Sequence, residues 1–435
     1  MRKSASNGIV QNGHKLMRQP VCTSKIEQSP CAENTLNPIR RLVDQLVINP
    51  NPDKNLLRLS IGDPSVFGNF NPPPQVLKAV SDNLATTCYG YVPAHGLVST
   101  REAIAKYYNT RSSPLTSSDI YVTSGCSDAL RIVMDCLGSE KRNILLPRPG
   151  FSLYETVAGN RGIPIKFYDL DPENDWEINL NQLDSLIDEN TAAILVTNPS
   201  NPCGSAFSVQ HQLDILAVAE KHGLPIIADE IYKDMVFEGE SKSFGELSEN
   251  VPVLSCGGLA KRWLVPGWRV GWIIVHDRHN RLSEVRGGLT RLCQVIIGSN
   301  VLIQGAVPQI LETVPQSFYD DTLKRLKNAS EIVYSELKDC PQIRPFKPKG
   351  AMYMMVQIKI EEFEDITDDM VFVEKLITEQ SVFPLPANIF GIPNYVRLVL
   401  TVPEDILREA CQRIVEFCQH HSVRVPRKKA KLTAS

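Results

Sequence analysis

The sequence lacks any apolar run near the roughly 18 residues needed to span a bilayer, so no membrane-crossing helix is expected. It also lacks a charge excess. A formal net charge of −3 offers nothing to nucleic acid or to an anionic membrane surface, and neither is expected as a partner. Eleven cysteines are present, but they are scattered, odd in number and without metal-ligand spacing. They read as reduced thiols of an intracellular, cytoplasmic protein with no metal site, not as a disulfide framework. Acidic residues are absent before Glu27, whereas Arg2, Lys3, Lys15, Arg18 and Lys25 are basic. That asymmetry is weakly like a mitochondrial leader, the alternative location. Arginine is scarce there, however, and no amphipathic helix is evident. Residues 1–34, rich in Ser, Asn, Gln and Lys, read as a disordered tail. The basic run Arg427, Lys428, Lys429 and Lys431 reads as a second disordered tail over 423–435, in preference to a nuclear signal. No internal repeat is apparent.

What is present suits a globular protein of more than one core. A chain of 435 residues exceeds the usual single-core limit, which predicts two domains sharing a cleft. Between about 80 and 280, short apolar runs alternate with helical patterns. Strands are predicted at Ile120–Thr123, Ile144–Leu146, Ala192–Val196 and Pro225–Ala228, and helices at Ser127–Leu137 and Leu213–His222. Continuous apolar strands separated by helices predict an α/β domain whose mostly parallel sheet is covered on both faces. Ligands then collect beyond the carboxyl ends of the strands, and Ser124-Gly125, Asn198-Pro199, Asp229-Glu230 and Lys261 all fall there. After about 320 the pattern becomes a long helix Thr322–Leu337, strands Ala351–Val356 and Val396–Val402, and a terminal helix Pro403–Cys418, a smaller α+β domain. The predicted organisation is an N-terminal segment over 35–75 packing with the small domain, a large domain over 76–320 and a small domain over 321–422.

The chemistry concentrates in the block Ser255-Cys256-Gly257-Gly258-Leu259-Ala260-Lys261 and the following Pro266-Gly267-Trp268-Arg269. Small residues let a rigid planar ligand approach the backbone. An amine in a crowded, partly dry place can form a Schiff base, and an arginine nearby offers a cationic fork for phosphate. Imine-forming amine plus phosphate clamp is the requirement of pyridoxal phosphate. Upstream residues extend the pattern. Asp229, at the edge of an apolar strand, needs a cationic partner, and a protonated pyridine nitrogen is one; a helix N-cap is the plainer reading. Ser124-Gly125-Cys126, between strand and helix, forms an anion cradle or an ordinary cap. Asn201 in the double Asn-Pro loop and Tyr232 would donate to a phenolic oxygen, or are turn and core residues. Phe151 would stack on a ring or serve as a core aromatic. Arg397 interrupts an apolar strand and must find an anion, either a substrate carboxylate or an internal acid. Cys126, Cys203 and Cys256 lie in these loops, but no histidine is near in sequence, and they read as small buried residues.

From about Asn37 to Cys418 the sequence resembles the tyrosine aminotransferase family, within the fold-type I, class I aminotransferases that depend on pyridoxal phosphate. The resemblance rests on Ser60-Ile61-Gly62-Asp63-Pro64, Tyr91-Val92-Pro93 with Gly96, Thr123-Ser124-Gly125-Cys126-Ser127 and Pro147-Arg148-Pro149-Gly150-Phe151-Ser152-Leu153-Tyr154. The double Asn-Pro loop, Ala228-Asp229-Glu230-Ile231-Tyr232 and the lysine block complete it. It implies a large domain with a mostly parallel seven-stranded sheet between helices, and a homodimer with active sites at the subunit interface. It also implies pyridoxal 5′-phosphate as cofactor. Lys261 would carry the cofactor covalently and shuttle the proton, Asp229 would pair with the pyridine nitrogen, and Asn201 and Tyr232 would bind the phenolic oxygen. Phe151 would stack on the ring. Ser124, Gly125, Cys126, Arg269 and a partner's Tyr91 would hold the phosphate, while Arg397, with Gly62 and Asn201, would bind the substrate. Many relatives carry a phosphate-binding serine three residues before the lysine; here that position is Gly258. The activity implied is ping-pong transfer of the amino group from L-tyrosine to 2-oxoglutarate, giving 4-hydroxyphenylpyruvate and L-glutamate, in tyrosine and phenylalanine catabolism. The alternatives on this fold are an aminotransferase for other aromatic or aliphatic amino acids, a carbon–sulfur lyase, or a non-catalytic module.

Overall fold

The computed structural model describes residues 25–45, 49–86 and 89–423. The disorder expected for residues 1–24 and 424–435 falls outside them. Residues 30–34, expected in that tail, instead form a one-turn helix, because Ser29 Oγ accepts the Ala32 amide and Pro30 pre-sets the first turn.

Eight strands form the large sheet. From one edge they run Ile120–Thr123, Gly271–His276, Val253–Gly258, Ile226–Asp229, Thr191–Thr197, Asn143–Arg148, Ile165–Asp171 and Glu177–Ile178. The five from Val253–Gly258 to Ile165–Asp171 are mutually parallel, whereas Gly271–His276 runs against both of its neighbours. Seven strands were expected; the eighth is the two-residue Glu177–Ile178, antiparallel to Leu170 and Asp171. Both faces are buried, as continuous apolar runs require. Ile194, Val196, Ile226 and Ala228 point into one core, while Leu195, Ile227 and Leu254 point into another with Ala129, Leu130 and Val133 of the helix Cys126–Leu137.

A four-stranded antiparallel sheet, ordered Ile343–Pro345, Tyr353–Ile358, Tyr395–Val399 and Leu385–Pro386, carries the C-terminal part. Its Met355 and Leu398 belong to the same core as Ile194. Leu57–Arg58 pairs in parallel with Val382–Phe383, which ties the N-terminal segment to this sheet. The long helix spans Gln316–Leu337, six residues earlier than its polar pattern suggested. Tyr319 extends it, because its ring packs edge-on against buried Trp263. The helix Val209–Lys221 likewise begins early, where Ser208 Oγ accepts the His211 amide.

Candidate active site

Five strand ends of the large sheet and three strands of the small sheet surround a cavity of about 430 Å³, within the range of small-molecule sites. Lys261, Asp229, Tyr232, Asn201, Phe151, Cys126, Arg269, Gly62 and Arg397 all line it. Residues up to 335 positions apart in sequence thus meet because the parallel strands all end on one side.

Asp229 closes its strand at 3% exposure. Its carboxylate accepts from Tyr154 Oη at 2.7 Å and from the Ile231 amide at 3.3 Å, with Cys126 Sγ at 3.8 Å. No cation lies within 4.0 Å of it among the described residues. Burial pushes its pKa up against these hydrogen bonds, the signature of a carboxylate that is solvated by dipoles and still short of a counter-charge. Tyr154 and Thr197, whose hydroxyls are 2.7 Å apart, were missed as site residues, since each reads as an ordinary core or strand residue.

Lys261 Nζ donates to the Gly62 carbonyl at 2.6 Å and lies 5.8 Å from the Tyr232 ring. The Tyr232 hydroxyl meets that of Tyr353 at 2.7 Å, and burial with this neighbour pushes its pKa well up, so the phenol stays neutral and able to donate. Tyr353 was also missed. Its hydroxyl would sit 2.5 Å from a Cβ on Gly62, so that position must remain glycine for the present packing.

Arg397 is the clearest anion seeker. At 3% exposure it donates to Asn201 Oδ1 at 2.8 Å and to the Ser60 carbonyl at 2.9 Å, while its Nε has no partner. Its guanidinium stacks 4.3 Å from the Tyr353 ring centroid and 5.0 Å from that of Phe390. The internal acid considered for it is absent among the described residues, and burial lowers its pKa. Asn201 spends its oxygen on Arg397, leaving its amide nitrogen as the donor to the cavity.

At the other end, Gly125 adopts φ 85° and caps the helix Cys126–Leu137. Arg269, itself left-handed at φ 52°, lays its guanidinium against Gly125, where a Cβ would come 2.6 Å from Nη2. Arg269 donates to the carbonyls of Ser124 and Pro266 and meets no carboxylate among the described residues. The Ser124 amide is occupied by Asp128 and the Gly125 amide by Thr123. Ser124 and Gly125 therefore flank the cavity, and the amides of Cys126 and Ser127, in the first helical turn, are the orphans offered to an anion. Phe151 stands edge-on to Tyr154 at 5.8 Å. Tyr91 is not part of this cavity; it is 91% exposed. Two cations not singled out from sequence, Arg40 and Arg58, also line the wall.

The three loop cysteines are buried, and burial pushes their thiols up, Cys203 to about 12. They are not nucleophiles at neutral pH. Gly258 has a steric reason: a Cβ there would lie 2.8 Å from both Gly271 Cα and the Val270 carbonyl. Gly258→Ser is therefore expected to lower stability by about 1–3 kcal/mol, read as a lower denaturation midpoint, and to add no useful donor.

Comparison with known proteins agrees with this architecture. Residues 54–414 match the family model described as aminotransferase class I and II. The chain is 51% identical to tyrosine aminotransferase of Mus musculus over 91% of its own length and 88% of the relative's. It is 50% identical to the Homo sapiens tyrosine aminotransferase, with the same coverage of 91% and 88%. The crystal structure of tyrosine aminotransferase from Leishmania infantum superposes with a TM-score of 0.89 at 35% identity, covering 92% of this chain and all of that one. A buried carboxylate, an amine and two uncompensated arginines at the strand ends, together with these matches, place the chain in the class I and II aminotransferase family.

Proposed function

We propose that this protein is a tyrosine aminotransferase that uses pyridoxal 5′-phosphate to move the amino group of L-tyrosine to 2-oxoglutarate. The observation that carries the reading is the charge imbalance of one cavity. Arg40, Arg58, Lys261, Arg269 and Arg397 face a single carboxylate, Asp229, which itself lies short of a cation. A ligand with one protonated ring nitrogen, a phosphate and a carboxylated substrate fills that pattern. The residues fit pyridoxal phosphate: Asp229 would hold its ring nitrogen, Tyr232 and Asn201 its phenolic oxygen, and Phe151 its face. Arg269 with the Cys126 and Ser127 amides would hold its phosphate, supported by Ser124 and Gly125. Bound there, the cofactor supplies an aldehyde that condenses with amines and a ring that takes up the electron pair left when a Cα–H bond breaks.

The protein does the rest. Arg397 grips the α-carboxylate common to amino acid and oxo acid, and Asn201 holds its guanidinium in place. Lys261 Nζ, beside the Gly62 carbonyl, is the base that takes the Cα proton and would hand it on to the cofactor carbon within the same half-reaction, which leaves the amine free for the return half-reaction. Arg40 and Arg58 supply positive charge for the second carboxylate of 2-oxoglutarate. The apolar wall of Ile39, Ile61, Phe383 and Leu385 suits an aromatic ring. Tyr91 reaches the phosphate of a second copy in a homodimer, which would account for its exposure. The segment 35–75, a large domain over 76–320 and a small domain over 321–422 form the two walls. Among the described residues no helix is long and apolar enough to cross a membrane, and a cytoplasmic location is part of the same proposal.

An amino-acid panel assayed with 2-oxoglutarate tests the reading. Tyrosine is expected to give the highest kcat/KM and to yield a 4-hydroxyphenyl oxo acid. Sulfide release from cystine exceeding oxo-acid formation from tyrosine would favour the carbon–sulfur lyase instead.

A further inference from the structure

We propose that the Arg262–Asp234 ion pair, outside the cavity, is the device that positions Lys261. The inference rests on the reading of Lys261 as the reacting amine. Arg262 follows Lys261 directly in sequence, yet its side chain leaves the cavity and pairs with Asp234, the two side chains being 15% and 21% exposed. Asp234 belongs to the turn that carries Tyr232, closed by hydrogen bonds from Lys233 to Glu230 and from Met235 to Tyr232. The pair therefore bolts the lysine turn to the turn bearing Asp229 and Tyr232.

Three features make the bolt specific. The Arg262 guanidinium stacks 4.2 Å from the Tyr319 ring, which belongs to the long helix, so the contact has a rigid floor. Burial pushes the Asp234 carboxyl up, but the charges of Lys233 and Arg262 outweigh it and hold the group ionised. The turn it anchors also needs an anchor. Leu264, whose amide bonds back to the Lys261 carbonyl at 3.2 Å, sits at φ 59°, a conformation that a leucine keeps only when its surroundings impose it. Neighbouring Trp263 is buried against Trp272 and Tyr107. Among the described residues Lys261 itself has one hydrogen bond, to Gly62. Its amine is placed by the backbone, and the backbone by Arg262.

Positioning differs from fold maintenance in what it changes. Misplacing a reacting group by about 1 Å costs on the order of 10²-fold in rate, while substrate binding, which belongs to Arg397, is untouched. The test uses the holoenzyme of Asp234→Asn, Arg262→Met and Arg262→Lys, with Lys261→Ala alongside. Asp234→Asn is isosteric and carries the test should the methionine variant fail to fold, as judged by near-ultraviolet circular dichroism. Asp234→Asn and Arg262→Met are expected to lower kcat by ~10- to 100-fold. KM for tyrosine should stay within about threefold, with a larger isotope effect for Cα-deuterated tyrosine and a changed visible dichroism of the bound cofactor. Arg262→Lys, which keeps the charge but not the fork, is expected to recover part of the rate. Turnover within twofold of wild type in both uncharged variants, or a loss confined to KM, overturns the proposal. If Lys261→Ala is inactive in that same experiment, only the positioning role has failed; if it too is fully active, the assignment of the amine is wrong.

Discussion

Replacing Lys261 with alanine is expected to cut kcat by about 10²–10⁴-fold, the range that a positioned base contributes. Among the described residues Lys261 is the one lysine that lines the cavity, and it faces the ring of Tyr232 from 5.8 Å. On the proposed reading, removing it would delete the covalent anchor and the proton carrier together. Folding should be little affected, since among the described residues the amine makes a single hydrogen bond, to a partly buried carbonyl. Single-turnover measurement of Cα proton exchange checks the role; near-normal exchange in the alanine variant refutes it. Lys221→Met is the control, because that amine pairs with Asp184 at the surface, away from the cavity.

Arg397→Gln is expected to show the opposite balance, a loss of affinity with a gain or no change in stability. Truncating one partner of a buried charge-assisted contact costs about 2–5 kcal/mol, or roughly 30- to 4,000-fold in kcat/KM. Both half-reactions should suffer alike, since tyrosine and 2-oxoglutarate each present an α-carboxylate. The protein without substrate holds a buried guanidinium that, among the described residues, only a side-chain amide oxygen and a carbonyl satisfy. Removing such a charge is neutral or stabilising. Steady-state kinetics on both substrates, paired with thermal unfolding, decides it. A variant with intact KM for both acids would show that another residue binds the carboxylate.

The residues that were legible in sequence are those that violate a local pattern. Asp229 and Arg397 are charges in apolar strands, Lys261 follows a run of small residues, and Asn201 stands in a loop of unusual turn chemistry. Each had to be explained, and the cavity explains them together. Tyr353, Tyr154 and Thr197 violate nothing: a tyrosine or threonine in a buried strand or helix is ordinary, and only the fold reveals that the Tyr353 hydroxyl meets Tyr232, that of Tyr154 meets Asp229, and that of Thr197 meets Tyr154. Which amides of the Ser124-Gly125-Cys126 cradle are free was not legible in sequence, because it depends on which neighbours Asp128 and Thr123 have already taken. The parallel sheet was visible in the alternation of apolar runs and helical periods. Its eighth strand was not, since two residues between Trp176 and Asn179 carry no period. Helix starts at Val209 and Gln316 were hidden for a related reason: a Ser208 cap and the packing of Tyr319 outweigh the polar residues between.

The account stands on one nitrogen capturing the aldehyde of pyridoxal phosphate. Borohydride reduction of the purified protein with that cofactor, followed by peptide mass mapping, tests it directly. The account predicts a single pyridoxyl adduct on the peptide containing Lys261, absent from Lys261→Ala. Protein that carries no adduct, or carries it on another lysine, contradicts it.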